Sequence, residues 1–127
     1  MQELTTDLWS LLLPEEWFAE QDGETILVVD EDEVSIIEIT TLIPDKGVSV
    51  KKFIADSIGV DAKSCELASL PAKYQEFEED DMFWREWYCE AGKFILLVSH
   101  GTDSTNRHMD DGAVDEILST LLLTEEE

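Results

Sequence analysis

The clearest pattern in the chain is a pair of apolar segments near the carboxyl-terminal half. Residues Phe83 to Glu90 alternate between large aromatic and polar side chains, and Phe94 to Ser99 are almost continuously apolar. Ala91 and Gly92 stand between the two segments, where a short turn is needed. The pattern predicts a β-hairpin whose second strand is covered on both faces.

Within the first of these segments, the two-residue period of a strand assigns the aromatic rings to opposite faces. Phe83 and Trp87 fall on one face, and Trp84 and Tyr88 fall on the other. We expect these rings to belong mainly to the core, because a layered α+β fold needs large residues on the sheet.

Other short runs have strand-like composition and are bounded by Pro, Gly or acidic residues. Asp22-Gly23 is a strong signal for a two-residue hairpin turn. The predicted strands are 8–13, 17–20, 25–29, 34–43, 65–70 and 73–79.

Two segments change to the 3.6-residue period of a helix. The first follows Ser49, a good N-cap, and ends near Gly59. The second follows Asp110 or Asp111 as its cap. Its apolar stripe consists of Val114, Ile117, Leu118 and Leu121.

These elements predict a single domain, 1–127, of the α+β class with a central antiparallel sheet of about six or seven strands. We expect helices on one or both sheet faces, an exposed loop over 101–107, and a disordered acidic tail over 123–127.

Charge narrows the range of partners. Eight Lys and Arg residues stand against 31 Asp and Glu residues, which gives a net charge of −23. Such a chain is repelled by phosphate, so nucleic acid and anionic membranes are poor partners. A basic protein or peptide is favoured instead.

The start of the sequence has no basic segment followed by a long apolar run, and Leu11 to Leu13 is too short to span a bilayer. We therefore expect a cytoplasmic protein. Cys65 and Cys89 are far apart and lack metal-ligand spacing, so we expect them to be reduced thiols.

The order of elements resembles bacterial members of the Mog1/PsbP-like group. The resemblance rests on Leu13-Pro14-Glu15-Glu16-Trp17, the long strand 34–43 with the short helix after it, the acidic turn before Trp84-Arg85-Glu86-Trp87-Tyr88, the strand 94–99, and the closing helix that ends in Ile117-Leu118-Ser119-Thr120-Leu121. It covers roughly 8–122.

The resemblance implies an α/β/α sandwich with an antiparallel sheet, and it implies no activity. Named relatives bind proteins: one binds a nuclear-transport GTPase and another sits on a photosystem. Nothing in this sequence identifies either partner.

A catalytic thiol was considered for Cys89 with His100. A nucleophilic Cys needs nearby positive charge, whereas Cys89 is flanked by Tyr88 and Glu90 within a strand. The sequence favours a buried core thiol. No phosphate-binding glycine motif or nucleophile elbow is present.

Metal binding was considered for the segment that contains His100, Asp103, His108, Asp110 and Asp111. The spacing matches no compact ligand motif, and helix capping explains the two adjacent Asp residues. The acidic run 30–33 fails as an EF-hand loop, because Val34 occupies the third ligand position.

We therefore expect a non-catalytic protein-binding module without a cofactor or metal. Its partner would be a basic protein or peptide, for example a cationic toxin or a secreted effector. The candidate contact residues are Asp30, Glu31, Asp32, Glu33, Glu78, Glu79, Asp80, Asp81 and Trp84. Two alternatives remain open: a secretion chaperone of the type III kind, and a small enzyme or metal-binding protein that uses the segment His100 to Asp111.

Overall fold

The computed structural model describes residues 2–6, 8–23, 25–31, 34–57, 62–106 and 108–123. Within them, the strands are β1 Gln2–Thr5, β2 Trp9–Leu13, β3 Trp17–Asp22, β4 Thr25–Asp30, β5 Ser35–Leu42, β6 Lys63–Leu67, β7 Leu70–Glu79, β8 Met82–Ala91, β9 Phe94–Asp103 and β10 Leu122–Leu123. The helices are α1 Val50–Ser57 and α2 Asp111–Leu118, with a 3-10 turn at Ser104–Asn106.

Seven of the strands form one antiparallel sheet in the order β3-β4-β5-β9-β8-β7-β6. The predicted fold class is therefore confirmed. Strand β9 lies in the middle of this sheet, which explains its nearly continuous apolar sequence: Ile95, Leu96 and Val98 are all fully buried.

A second sheet, of order β1-β2-β10, was not expected from the sequence. The predicted first strand, 8–13, is β2 and lies in this sheet rather than in the larger one. Its Trp9, Leu11 and Leu13 are buried in the main hydrophobic core. Strand β1 escaped prediction because its residues QELT are mostly polar and exposed.

The two faces of the seven-stranded sheet are covered differently. The inner face carries Ile37, Trp87, Cys89 and Val98, which belong to the same buried cluster as the stripe of α2 and the apolar residues of β2. The outer face contacts α1 through β8, where Lys51 pairs with Glu90. Toward the other end of the sheet, the apolar side chains of the outer face are half-buried, and Phe18 is exposed.

Asp110 occupies the predicted N-cap position of α2, but its side chain makes no capping hydrogen bond and accepts one from Ser35 instead. The first helix has the predicted cap. The Ser49 hydroxyl accepts a hydrogen bond from the Lys52 amide, as an N-cap should. All four stripe residues of α2 are buried, whereas α1 buries only Ile54. Gly59, the predicted end of the first helix, lies outside the described residues.

Several boundaries differ from the sequence prediction. Pro71 does not separate two strands; it lies inside β7, and the turn is formed by Ala68 and Ser69, both with positive φ. Such backbone favours a tight hairpin, but neither residue signals it, because glycine or asparagine is the usual choice there. Leu123, assigned to the tail, pairs with Trp9, and 124–127 lie outside the described residues.

The predicted loop 101–107 is also partly wrong, because β9 continues to Asp103. Gly101 is buried in the strand, and a Cβ atom placed there would lie 2.6 Å from the ring of its cross-strand partner Trp84. The glycine marks a close approach of a ring to backbone and not a turn.

Candidate functional site

A buried polar cluster lies between the inner face of the sheet and α2. Its centre is Arg85, which is only 5% exposed because it points inward from β8 together with Phe83 and Trp87. The guanidinium carbon lies 4.9 Å from the centroid of the Trp87 ring, a cation–π distance. A charge this deeply buried needs partners.

The first partner of Arg85 is His100, directly opposite on β9. Arg85 Nε donates to His100 Nδ1 at 3.1 Å, which fixes the remaining ring proton on Nε2. Burial, reinforced by the neighbouring Arg85 charge, lowers the pKa of His100 to about 4. The imidazole is therefore neutral near pH 7, and its buried Nε2 makes no hydrogen bond to a described residue.

The other partners come from α2. Arg85 Nη1 donates to Asp115 at 3.1 Å, and Arg85 Nε lies 3.5 Å from Asp111. Asp111 also lies 2.8 Å from His108 Nδ1, and Asp110 accepts a hydrogen bond from the buried Ser35. The N-cap and first turns of α2 are thereby attached to β5 and β8.

This arrangement separates the thiol and imidazole that were considered as a catalytic pair. Cys89 lies four residues from Arg85 along β8, about 13 Å away, whereas His100 is opposite Arg85. Cys89 is fully buried, and burial raises the pKa of its thiol to about 12. A thiol in this environment is a poor nucleophile.

The residues considered for metal binding are likewise divided among different contacts. His100 faces Arg85, Asp103 accepts hydrogen bonds from Thr105, and Asp110 bonds Ser35. Across the ranges that the structure describes, no group of three or more His, Cys, Asp or Glu residues is arranged to hold a metal ion.

The sheet topology brings the two predicted acidic turns to the same end. Strand β4 ends and β5 begins at this end of the sheet. Strand β9 ends next to β5, and the turn between β7 and β8 lies on the other side of β9. From the strand spacing, the two turns are about 14 Å apart. We call this region the acidic end; its described carboxylates are Asp30, Glu31, Glu78, Glu79, Asp80, Asp81 and Asp103.

The predicted contact residues occupy different positions within this end. Asp30 ends β4, Glu78 and Glu79 end β7, and Asp80-Asp81 alone form the two-residue turn, both with positive φ. Asp32 and Glu33 lie outside the described residues. Trp84 is half-buried on the outer face, with its ring against Gly101.

A groove of about 480 Å³ opens on the outer face between the two acidic turns. Its lining residues are Val29, Val34, Ser35, Ile36, Met82, Gly101, Asp103 and Asn106. The Ser104 amide donates to the Asp81 carbonyl at 2.9 Å, so the segment that carries Asn106 is attached to the β7–β8 turn. The apolar side chains in the groove are half-buried and remain accessible.

Negative charge continues along the outer face below the groove. Glu38 and Glu86 both lie opposite Ser99, one from each neighbouring strand, about 10 Å apart. Burial, with a smaller contribution from Glu86, raises the pKa of Glu38. Glu86 also accepts a hydrogen bond from Gln75 at 2.9 Å.

Sequence reasoning missed the Arg85 cluster, although the chain contains a signal for it. Arg85 occupies the inward phase of the alternation that includes Phe83, Trp87 and Cys89. A charged residue in that phase must be buried, and a buried Arg needs carboxylate or imidazole partners. The groove had no comparable signal, since its walls come from four separate segments.

No family model and no curated protein sequence matches the chain. Solved structures do. A protein from Bacteroides thetaiotaomicron aligns with a TM-score of 0.71 and 15% identity over 93% of this chain, which spans 46% of that protein's length.

Two further structures match over nearly their whole length. Cyanobacterial PsbP from Synechocystis has a TM-score of 0.64 and 11% identity, covering 96% of this chain and 91% of its own. LpqN of Mycobacterium tuberculosis, involved in cell envelope biogenesis, has a TM-score of 0.65 and 12% identity. The match covers 92% of this chain and 83% of LpqN. None of the described helices is long and apolar enough to cross a membrane. At these identities the likeness concerns the fold, and the chain has the PsbP/Mog1-like fold that the sequence resemblance predicted.

Proposed function

We propose that this protein is a non-catalytic binding module whose acidic end receives a basic protein or peptide. The observation that carries the proposal is the topology that places two acidic turns at one end of the sheet. Asp80 and Asp81 are exposed at the tip of one turn, and Glu31 is exposed at the other. Complementary charge at such a surface speeds association and selects partners by sign.

The distribution of positive charge supports the same surface. Lys46, Lys51, Lys52 and Lys93 lie at the opposite end of the sheet, and Lys63 and Lys73 lie on the β6–β7 edge. In the part of the chain that the structure describes, no lysine lies at the acidic end. Arg85 is buried there, and Arg107 lies outside the described residues.

The partner class follows from charge alone. A cationic toxin neutralised by this protein, or a secreted effector segment, would have the required sign, and the cytoplasm remains the predicted compartment. A secretion chaperone remains the alternative function; it predicts a dimer, which light scattering would detect. The enzyme alternative requires a concave pocket that holds His100 or His108. His100 is 1% exposed, and His108 is an exposed side chain paired with Asp111.

The proposal is tested by isothermal titration calorimetry with a lysine-rich peptide at low and high salt. In the test variant, Glu31→Gln, Asp80→Asn and Asp81→Asn remove three charges from the acidic end. In the matched control, Glu20→Gln, Asp22→Asn and Asp45→Asn remove three exposed charges elsewhere.

We expect the test variant to bind about tenfold more weakly at low salt, since each exposed charge contributes a few tenths of a kcal/mol to about 1 kcal/mol. The control should change affinity by less than about threefold. Equal losses in the two variants would mean that only net charge matters, and the acidic end would no longer be the proposed site.

A further inference from the structure

The groove between the acidic turns differs chemically from its rim. Val29, Ile36 and Met82 give it apolar walls, and Gly101 contributes backbone without a side chain. Asp103 and Asn106 are polar residues on one side of the groove. The rim carries exposed carboxylates at both turns, including Glu31 on one side and Asp80 and Asp81 on the other. An accessible apolar site with a rim of one sign of charge selects partners both by their apolar side chains and by their charge.

The size of the groove limits its occupant. About 480 Å³ falls within the roughly 300–1,000 Å³ of typical small-ligand clefts, which is enough for one large apolar side chain and its backbone. The groove lies midway between turns that are about 14 Å apart, so each turn is about 7 Å from its centre. An extended chain covers that distance in about two residues.

We propose that the groove binds an extended segment of the basic partner that has one large apolar residue with a Lys or Arg two residues before and two residues after it. This inference rests on the proposed function, because it specifies which basic segments the acidic end accepts. In an extended segment, residues at this spacing point to the same side as the apolar residue. The apolar side chain enters the groove while each cation reaches one acidic turn.

Four synthetic heptapeptides test the inference by NMR titration of the full chain at low salt. The reference peptide is Ser-Lys-Ser-Leu-Ser-Lys-Ser. The second replaces the leucine by serine, the third moves both lysines to the amino-terminal side of the leucine, and the fourth replaces the lysines by glutamates.

We expect the leucine peptide to bind about tenfold more tightly than the serine peptide, the gain from burying one leucine side chain. Moving both lysines to one side should weaken binding about threefold, because only one turn can then be reached. The glutamate peptide should show no saturable shift.

The protein variant Val29→Thr with Ile36→Thr makes the groove polar while keeping β-branched shapes suited to strands. In it, the preference for leucine over serine should fall to within about twofold. The control variant, Leu42→Thr, changes a half-buried residue of β5 near the opposite end of the sheet and should keep the tenfold preference. Thermal melts of the variants confirm that each one is folded.

The outcomes separate the two proposals. Equal, salt-sensitive binding of the leucine and serine peptides would overturn the groove inference and leave the acidic end as a binding surface. Absence of binding by every lysine peptide at low salt would overturn both. Self-association that disappears in the Val29→Thr and Ile36→Thr variant would overturn the inference in favour of a second copy of the chain.

Discussion

Two groups of carboxylates lie near the same end of the sheet and serve different purposes. Asp110, Asp111 and Asp115 are engaged by Ser35, His108 and the buried Arg85. Asp80 and Asp81 are exposed at a turn, and no side-chain hydrogen bond or ion pair connects them to another described residue. We call these the paired group and the exposed group.

The difference arises from a single inward-pointing cation. Arg85 pairs with Asp111 and Asp115, and removing these carboxylates would leave a buried guanidinium without compensation. The exposed group lacks such a cation, so it contributes to the external field of the molecule and little to its stability.

The largest expected effect comes from removing that cation. Arg85→Met should lower the free energy of unfolding by about 4 kcal/mol, since it removes the donor to His100 and the positive charge beside Asp111 and Asp115. Urea denaturation measures the change. Lys52→Met removes the same charge from an exposed pair with Asp56 and should cost less than about 0.5 kcal/mol. Similar losses in the two variants would mean that the burial of Arg85 gives its ion pairs no larger stabilising effect than an exposed pair has.

Lowering the pH should reduce the free energy of unfolding, because His100 beside the paired group becomes protonated. Its pKa of about 4 lies below the ordinary 6.5, so the unfolded chain binds a proton in this range that the folded chain excludes. The full stabilisation is present above pH 6.5 and is lost as the pH falls toward 4, by about 3 kcal/mol in total.

His100→Asn keeps an acceptor for Arg85 and has no titrating ring, so it should flatten this part of the stability–pH curve. The matched variant His108→Asn, at an exposed imidazole, should leave that slope in place. Chemical denaturation at several pH values between 4 and 7 gives the comparison. An unchanged slope in His100→Asn would contradict the assignment of this pH dependence to His100.

Replacing one carboxylate by an amide in each group should have a smaller effect on the free energy of unfolding. Asp115→Asn should cost about 1 kcal/mol, because the ion pair becomes a hydrogen bond from the charged Arg85 to an uncharged amide oxygen at a half-exposed site. Asp80→Asn should change stability by less than about 0.3 kcal/mol, since Asn also tolerates positive φ. Equal costs in thermal or urea unfolding would contradict the comparison.

The smallest effect concerns backbone rather than charge. Asp81 has φ of 68°, so Asp81→Gly should raise stability by about 0.5 kcal/mol. Asp103→Gly, at an extended position in β9, should instead lower it by a similar amount. If both substitutions act in the same direction, side-chain charge and not conformation dominates at these positions.

Much of the fold was accessible from the sequence because hydrophobic period is a local property. The strands 25–29, 34–43 and 83–90 and the stripe of α2 were predicted nearly as they are found. The strand β1 was inaccessible, because its polar residues make contacts that only the second sheet provides. The turn at Ala68 and Ser69 was also hidden, since neither residue favours positive φ.

The candidate site was less accessible because it depends on which strands become neighbours. The runs at 30–33 and 78–81 were recognised as acidic, but nothing local placed them at one end of the same sheet. The pairing of Asp115 with Arg85, thirty residues away, depends on tertiary packing and has no local signal. Long-range pairing of this kind follows from topology and not from composition.

The contact between Gly101 and Trp84 imposes an order on evolutionary change. A side chain gained at 101 first would collide with the indole, so that intermediate should be rarely tolerated. A smaller residue substituted first at 84 leaves only a gap on a half-buried face, and 101 is then free to vary. Descendants of this sequence should therefore lose the ring before they lose the glycine.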